Sequence, residues 1–183
     1  MTGAPASGLA VVLRLDAAAA AALAPVSAGL PWPPHLTLAV LDSATPEAPL
    51  LEAVQALAAR WAPLPVLLAS LGRFPAGTRF LAPVPTAALL DRHAALLAAL
   101  GGATPHPHYR SGAWVPHVTV AAEAALDLLP LPAMLDAMEL VRFPPPVPVA
   151  RHALGGTART AFRPQESHAH ADPRRHRPDR RAL

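Results

Sequence analysis

The chain has 183 residues, 52% of them hydrophobic, 15% charged and 4% aromatic, with no cysteine. That is enough apolar material for one self-supporting domain; the absence of cysteine excludes disulfides, iron–sulfur clusters and thiolate zinc sites. All 15 basic residues are arginine, which excludes lysine Schiff bases and a Walker-type phosphate loop. Of the net charge of +3, the segment 166–183 supplies +2, from five arginines against three acids, so the body is nearly neutral. The balance is therefore a poor argument for a general nucleic-acid binder.

Gly8–Leu15 (GLAVVLRL) reads as a buried strand. Asp16 is placed to cap a helix over Ala17–Leu30, which Gly29 and Pro31 close. His35–Leu41 is a second strand, and Thr45–Pro46–Glu47 opens a helix to about Trp61. Val66–Arg73 and Thr78–Val84 are strand-like. Thr86 is placed to cap a helix through Leu100, ended by Gly101–Gly102. A Gly-, Pro- and His-rich loop over Ala103–Ala113 leads to a strand at His117–Ala122. A short helix is expected over Ala124–Met138, interrupted by Pro130 and Pro132. Val147–Leu154 and Arg159–Phe162 read as a terminal hairpin around Gly155–Gly156. The expected division is one domain over 1–165 and a basic, disordered tail over 166–183.

No apolar run is long enough to span a bilayer; the alanine-rich Ala17–Ala24 stops at Pro25. The first residues, MTGAPASG, lack a basic n-region, so no secretory signal is expected and the cytoplasm is the expected compartment. A monomer with no membrane association is the default expectation.

The strand–helix–strand order of 8–41 recurs over 78–122. Both units end alike: Pro34–His35–Leu36–Thr37–Leu38 and Pro116–His117–Val118–Thr119–Val120, preceded by Trp32 and Trp114. Alternate residues of a strand share a face, so each histidine lies beside its threonine while the apolar residues face the core. Two such strands side by side would gather two imidazoles and two hydroxyls around one cavity. That set suits displacement at phosphorus. One histidine can act as base and the other as acid near neutrality. The hydroxyls can donate to the non-bridging oxygens, where charge gathers.

The pair of Pro-His-apolar-Thr-apolar motifs resembles the signature of the 2H phosphoesterases, and within them the 2′-5′ RNA ligase group, from about Gly8 to Phe162. The resemblance implies an α+β fold with two lobes about a pseudo-two-fold axis. Antiparallel sheets would line a central cleft, with helices packed outside. It further implies His35 and His117 as the catalytic pair and Thr37 and Thr119 as phosphate ligands. The implied reaction opens a 2′,3′-cyclic phosphate, at RNA 3′ ends or in a small cyclic nucleotide, to a 2′-phosphate; its reverse is 2′-5′ ligation. No metal and no cofactor is called for. A first assignment makes His117 the base on water and His35 the acid on the 3′-oxygen. Tyr109, Arg110 and Phe74 are further candidate substrate contacts, and Arg73 and Arg79 could approach the cleft. Trp32 and Trp114 are expected at its rim and His93 on the surface. The competing reading is a non-catalytic nucleotide- or RNA-binding module on the same fold.

Overall fold

The computed structural model describes residues 7–156. Strand β1 (Gly8–Leu15) is buried on both faces, which is why its sequence runs apolar without alternating. Asp16 follows and accepts a hydrogen bond from the Ala19 backbone N–H at 3.3 Å, capping α1 (Ala17–Leu23). The helix is shorter than expected. Pro25 has no N–H to continue the helical hydrogen bonds, and after Ala24, itself still in helical geometry, the chain continues as a 3-10 turn over Pro25–Ser27. Next come β2 (His35–Asp42), α2 (Glu47–Arg60), β3 (Leu64–Arg73) and β4 (Arg79–Pro83). Thr86 Oγ1 accepts from the Leu89 N–H at 3.2 Å and caps α3 (Ala87–Ala99). A 3-10 turn at Pro107–Tyr109 precedes the three-residue β5 (Val118–Val120).

The segment expected as a helix over Ala124–Met138 folds otherwise. A 3-10 turn spans Glu123–Leu128, and Leu131–Phe143 is the 13-residue strand β6. Its Ala, Met, Leu and Glu residues favour helix locally. The strand nevertheless has partners on both edges, and that tertiary pairing decides its state. Pro132 sits where β6 has β3 as its only ladder partner, a position that tolerates a missing N–H. Strand β7 (Val147–Ala153) pairs with β6. Arg159–Phe162 and the expected tail at 166–183 lie outside the described residues.

All pairings are antiparallel, in the order β1-β2-β5-β4-β3-β6-β7, with β1 also paired to β6. One edge of β6 is divided: residues 131–135 face β3 and residues 137–142 face β7. Two halves result, β2-β1-β6-β7 and β5-β4-β3-β6. They share β6 and meet at a single residue pair, Leu36↔Val118, between β2 and β5. The β1–α1–β2 and β4–α3–β5 units are thus the two copies of the repeat seen in the sequence, seated side by side about that seam.

The main core lies between this sheet and the helices. Leu9, Val11, Leu13 and Leu15 of β1 meet Leu50, Val54 and Leu57 of α2 and Leu89 and Leu96 of α3. The opposite face carries a second cluster of Ala10, Val12, Val40 and Val141, packed against Trp32, Tyr109 and Phe143. Among the described residues, no helix is long and apolar enough to cross a membrane.

Candidate active site

His35 and Thr37 project from one face of β2. Ordinary alternation would continue to Ala39, but the register against β1 slips between Val11 and Val12, leaving Leu38 as the extra residue of a bulge. Val40 takes the next position on that face, while Leu38 and Ala39 both join the main core. His117 and Thr119 come from β5 and the residue before it. The two strands adjoin, so the four side chains line one cleft of about 250 Å³. Ala10 and Val40 also line it, with Trp32, Tyr109 and Phe143 as its aromatic members.

Both imidazoles are anchored in the same way. His35 Nδ1 lies 2.8 Å from the Pro33 carbonyl and His117 Nδ1 lies 2.7 Å from the Val115 carbonyl. A carbonyl can only accept, so each Nδ1 carries the proton and each Nε2 is the exchangeable nitrogen. The prolines at the start of each motif, Pro33–Pro34 and Pro116, stiffen the extended backbone that brings the carbonyl within reach. Each ring also meets an aromatic edge-on. Trp32 is 4.6 Å from His35; Phe74 and Phe80 are 4.9 and 5.6 Å from His117.

Burial dominates the titration of both. It pulls His35 down to about 4, opposed by the Pro33 hydrogen bond and reinforced by Arg14 and His117. Burial also lowers His117, opposed by the Val115 hydrogen bond. A folded-state value below the unfolded 6.5 leaves the fold unpenalised above pH 6.5 and costs it stability as pH falls from 6.5 towards 4, because the unfolded chain takes up the proton first. The His35 share of that loss is on the order of 2–3 kcal/mol. His35→Asn should therefore lose less stability than the wild type between pH 7.5 and 4, read from urea midpoints. Parallel curves for the two proteins would show that His35 is not the group concerned.

Thr37 is 7% exposed. Its side chain is hydrogen-bonded to that of Tyr109, whose phenol burial pushes above its ordinary value. Tyr109 lines the cleft; Phe74 does not line it but packs against His117, with ring centroids 4.9 Å apart. Arg110 does not line the cleft; its Nε donates to the Pro105 carbonyl at 3.1 Å. Arg73 Nε donates to the Gly77 carbonyl and Arg79 Nη1 to the Ala121 carbonyl, and neither lines the cleft.

Three residues have roles that sequence reasoning missed or misplaced. His93 is buried, not on the surface. It stacks on Trp114 with centroids 4.1 Å apart, and its Nε2 donates to the Tyr109 carbonyl at 2.9 Å. Trp114 is packed inward rather than at the rim, and its indole N–H donates to the Thr37 carbonyl at 3.0 Å. Arg14, buried on β1, stands directly opposite His35. A lone arginine inside GLAVVLRL is the one sequence signal that could have flagged it. Among the described residues, no three His, Asp or Glu side chains are grouped as ligands for a metal ion.

A family model described as the 2′-5′ RNA ligase superfamily matches residues 13–160. No curated protein sequence matches significantly. Among solved structures, TT0787 of Thermus thermophilus superposes with a TM-score of 0.62 at 23% identity, over 81% of this chain and 98% of that one. E. coli LigT complexed with 3′-AMP gives 0.55 at 21% identity, over the same shares. LigT complexed with NADP+ gives 0.54 at 19% identity, also over 81% and 98%. At such identities these structures establish the shared fold.

Proposed function

The chain belongs to the 2′-5′ RNA ligase superfamily, and from that premise and its cleft we propose that it opens 2′,3′-cyclic phosphates to 2′-phosphates. The observation that carries this reading is the matched anchoring of two histidines, each fixed through Nδ1 with Nε2 exchangeable, beside two threonines in one cleft. In-line displacement needs a proton acceptor on the attacking water and a donor on the leaving 3′-oxygen, on opposite sides of phosphorus. Two imidazoles on adjoining strands supply both without a metal. Thr37 and Thr119 donate to the non-bridging oxygens. Attack by an RNA 5′-hydroxyl in place of water opens the same ring to a 2′-5′ phosphodiester, which is ligation.

The cleft sits at or below the lower end of ligand pockets, roughly 300–1,000 Å³. That size favours a terminal or free nucleotide over a long stretch of RNA. The ligands named in the LigT structures, 3′-AMP, ATP and NADP+, are likewise nucleoside phosphates. Trp32, Tyr109 and Phe143 offer flat apolar surface for a base beside the phosphate position.

The experiment is incubation in EDTA with an RNA oligonucleotide ending in a 2′,3′-cyclic phosphate, and in parallel with a cyclic mononucleotide. Conversion of either to the 2′-phosphate is expected. Binding without conversion of either would replace this reading with the non-catalytic module. Thr37→Ala or Thr119→Ala should lower kcat/KM by about ten- to a thousand-fold, with partial recovery in the serine variants. Alanine variants at wild-type rates would remove the threonines from the phosphate site.

A further inference from the structure

A second recess adjoins the cleft. Its volume is about 490 Å³, and the segment 20–34 lines all of it, with Ala20 and Ala24 from α1 and residues 27–34 from the connection to β2. Leu30, Pro31, Trp32 and Pro33 line the cleft as well, so the two cavities share one wall. Trp32 stands in that wall, its ring edge-on to His35 at 4.6 Å. The two histidines and two threonines line the cleft and not the recess.

The wall is held in place from both sides. Pro31, Pro33 and Pro34 restrict its backbone. Arg14 Nη1 donates at 3.3 Å to the Pro33 carbonyl. The N–H groups of Ala121 and Ala122, just past β5, donate to the Val26 carbonyl at 2.7 and 3.2 Å. A recess formed in advance takes a ligand without the cost of ordering its own walls. Ser27 lines the recess and is 7% exposed. Its hydroxyl is shielded from water and has no hydrogen-bond partner among the described residues. A buried hydroxyl left unpaired costs stability, and an alanine would fill the place without that cost. One rotation about Cα–Cβ re-aims a serine hydroxyl, so a ligand in the recess can satisfy it. The rest of the lining is proline, indole and small apolar side chains, flat surface of the kind on which a nucleobase stacks.

We propose that this recess binds the nucleotide that precedes the cyclic phosphate, so that the preferred substrate is an RNA end of two or more nucleotides and not a free cyclic mononucleotide. The inference rests on the cyclic-phosphate reading above. A ribose that carries a 2′,3′-cyclic phosphate has two further substituents, the base at C1′ and, in RNA, the chain at C5′. With the phosphate between the histidines, the base has the apolar floor of Ala10, Val40 and Phe143. The chain leads over Trp32 into the recess, where the preceding base lies against the prolines and the indole and the Ser27 hydroxyl bonds its edge or its ribose. Among the described residues no cation lines the recess. The linking phosphodiester therefore stays at the open mouth, in water, because its burial would go uncompensated.

The test compares adenosine 2′,3′-cyclic phosphate with the diadenosine dinucleotide ending in the same cyclic phosphate. The wild type should favour the dinucleotide in kcat/KM by about tenfold or more, mainly through KM. Leucines at two exposed recess positions, Ala24→Leu with Ala28→Leu, should bring that ratio close to one. Ser27→Ala should lower it by about two- to tenfold while Tm stays level or rises, since the variant loses an unpaired buried hydroxyl. A purely structural serine would instead lower Tm and leave the ratio alone, and that result removes the hydroxyl from the site. Equal kcat/KM for the two substrates in the wild type, or a dinucleotide preference undiminished in the leucine variant, overturns the proposal. Wild type inert on both substrates fails the cyclic-phosphate reading. Calorimetry with adenosine 2′-phosphate and the dinucleotide 2′-phosphate then decides the recess by itself, with tighter binding of the dinucleotide, lost in the leucine variant, as the expected result and equal affinities as the overturning one.

Discussion

His35→Ala and His117→Ala should each lower kcat on a 2′,3′-cyclic phosphate by about two to four orders of magnitude. Neither change should cost much stability, because each ring is only partly enclosed and lies on the cleft side of the sheet, away from the main core. The double variant is the sharper case. Proton removal from water and proton delivery to the 3′-oxygen belong to one displacement, so losing either partner disables the same step. Groups that act as a unit show strongly non-additive losses. The double variant should therefore fall little below the worse single one. Full additivity would mean that the histidines serve separate steps. A single variant that keeps more than about a tenth of wild-type kcat would remove that histidine from the chemistry.

How much of this is legible in the sequence varies with the range of the interaction that decides each element. The β1 run, the Asp16 and Thr86 caps and the first motif strand are set by local pattern, and they lie where the pattern puts them, while the second motif strand covers only Val118–Val120 of the expected His117–Ala122. β6 departs from the expected helix because its own residues favour helix, and only pairing with β1, β3 and β7 makes it a strand. The same strand explains why two lobes form one sheet. The histidine–threonine pairs are legible because i and i+2 must share a strand face. The bulge at Leu38 is not, since a slip in register has no signature in LTLAVL. Arg110 is close to the second motif in sequence, yet the Pro105 carbonyl holds it away from the cleft. The Trp114–His93 stack joins residues 21 positions apart, and the Arg14 contact with Pro33 spans 19, so neither can be read from local spacing.

That stack carries the second large effect. β2 and β5 meet at one ladder pair, a thin seam to hold two reacting side chains in register. Trp114, just before β5, adds a bond across it through its indole N–H to the Thr37 carbonyl. His93 backs the indole face and fixes the Tyr109 carbonyl, and the Tyr109 side chain bonds that of Thr37. The loop is closed, so each member orients the next. Trp114→Ala removes a half-buried ring and the seam bond together, and should cost about 3–5 kcal/mol. For a chain of this size that is a fall in Tm of roughly 6–20 °C. Trp114→Phe keeps much of the ring and loses the donor, so it should cost only about 1–2 kcal/mol. Its kcat should nevertheless fall by about tenfold or more, because a small displacement of one histidine against the other spoils the in-line geometry. The comparison separates a tie from a filler. If Trp114→Phe melts and turns over like the wild type, the indole only fills space, and the single Leu36↔Val118 pair suffices to align the two halves of the site.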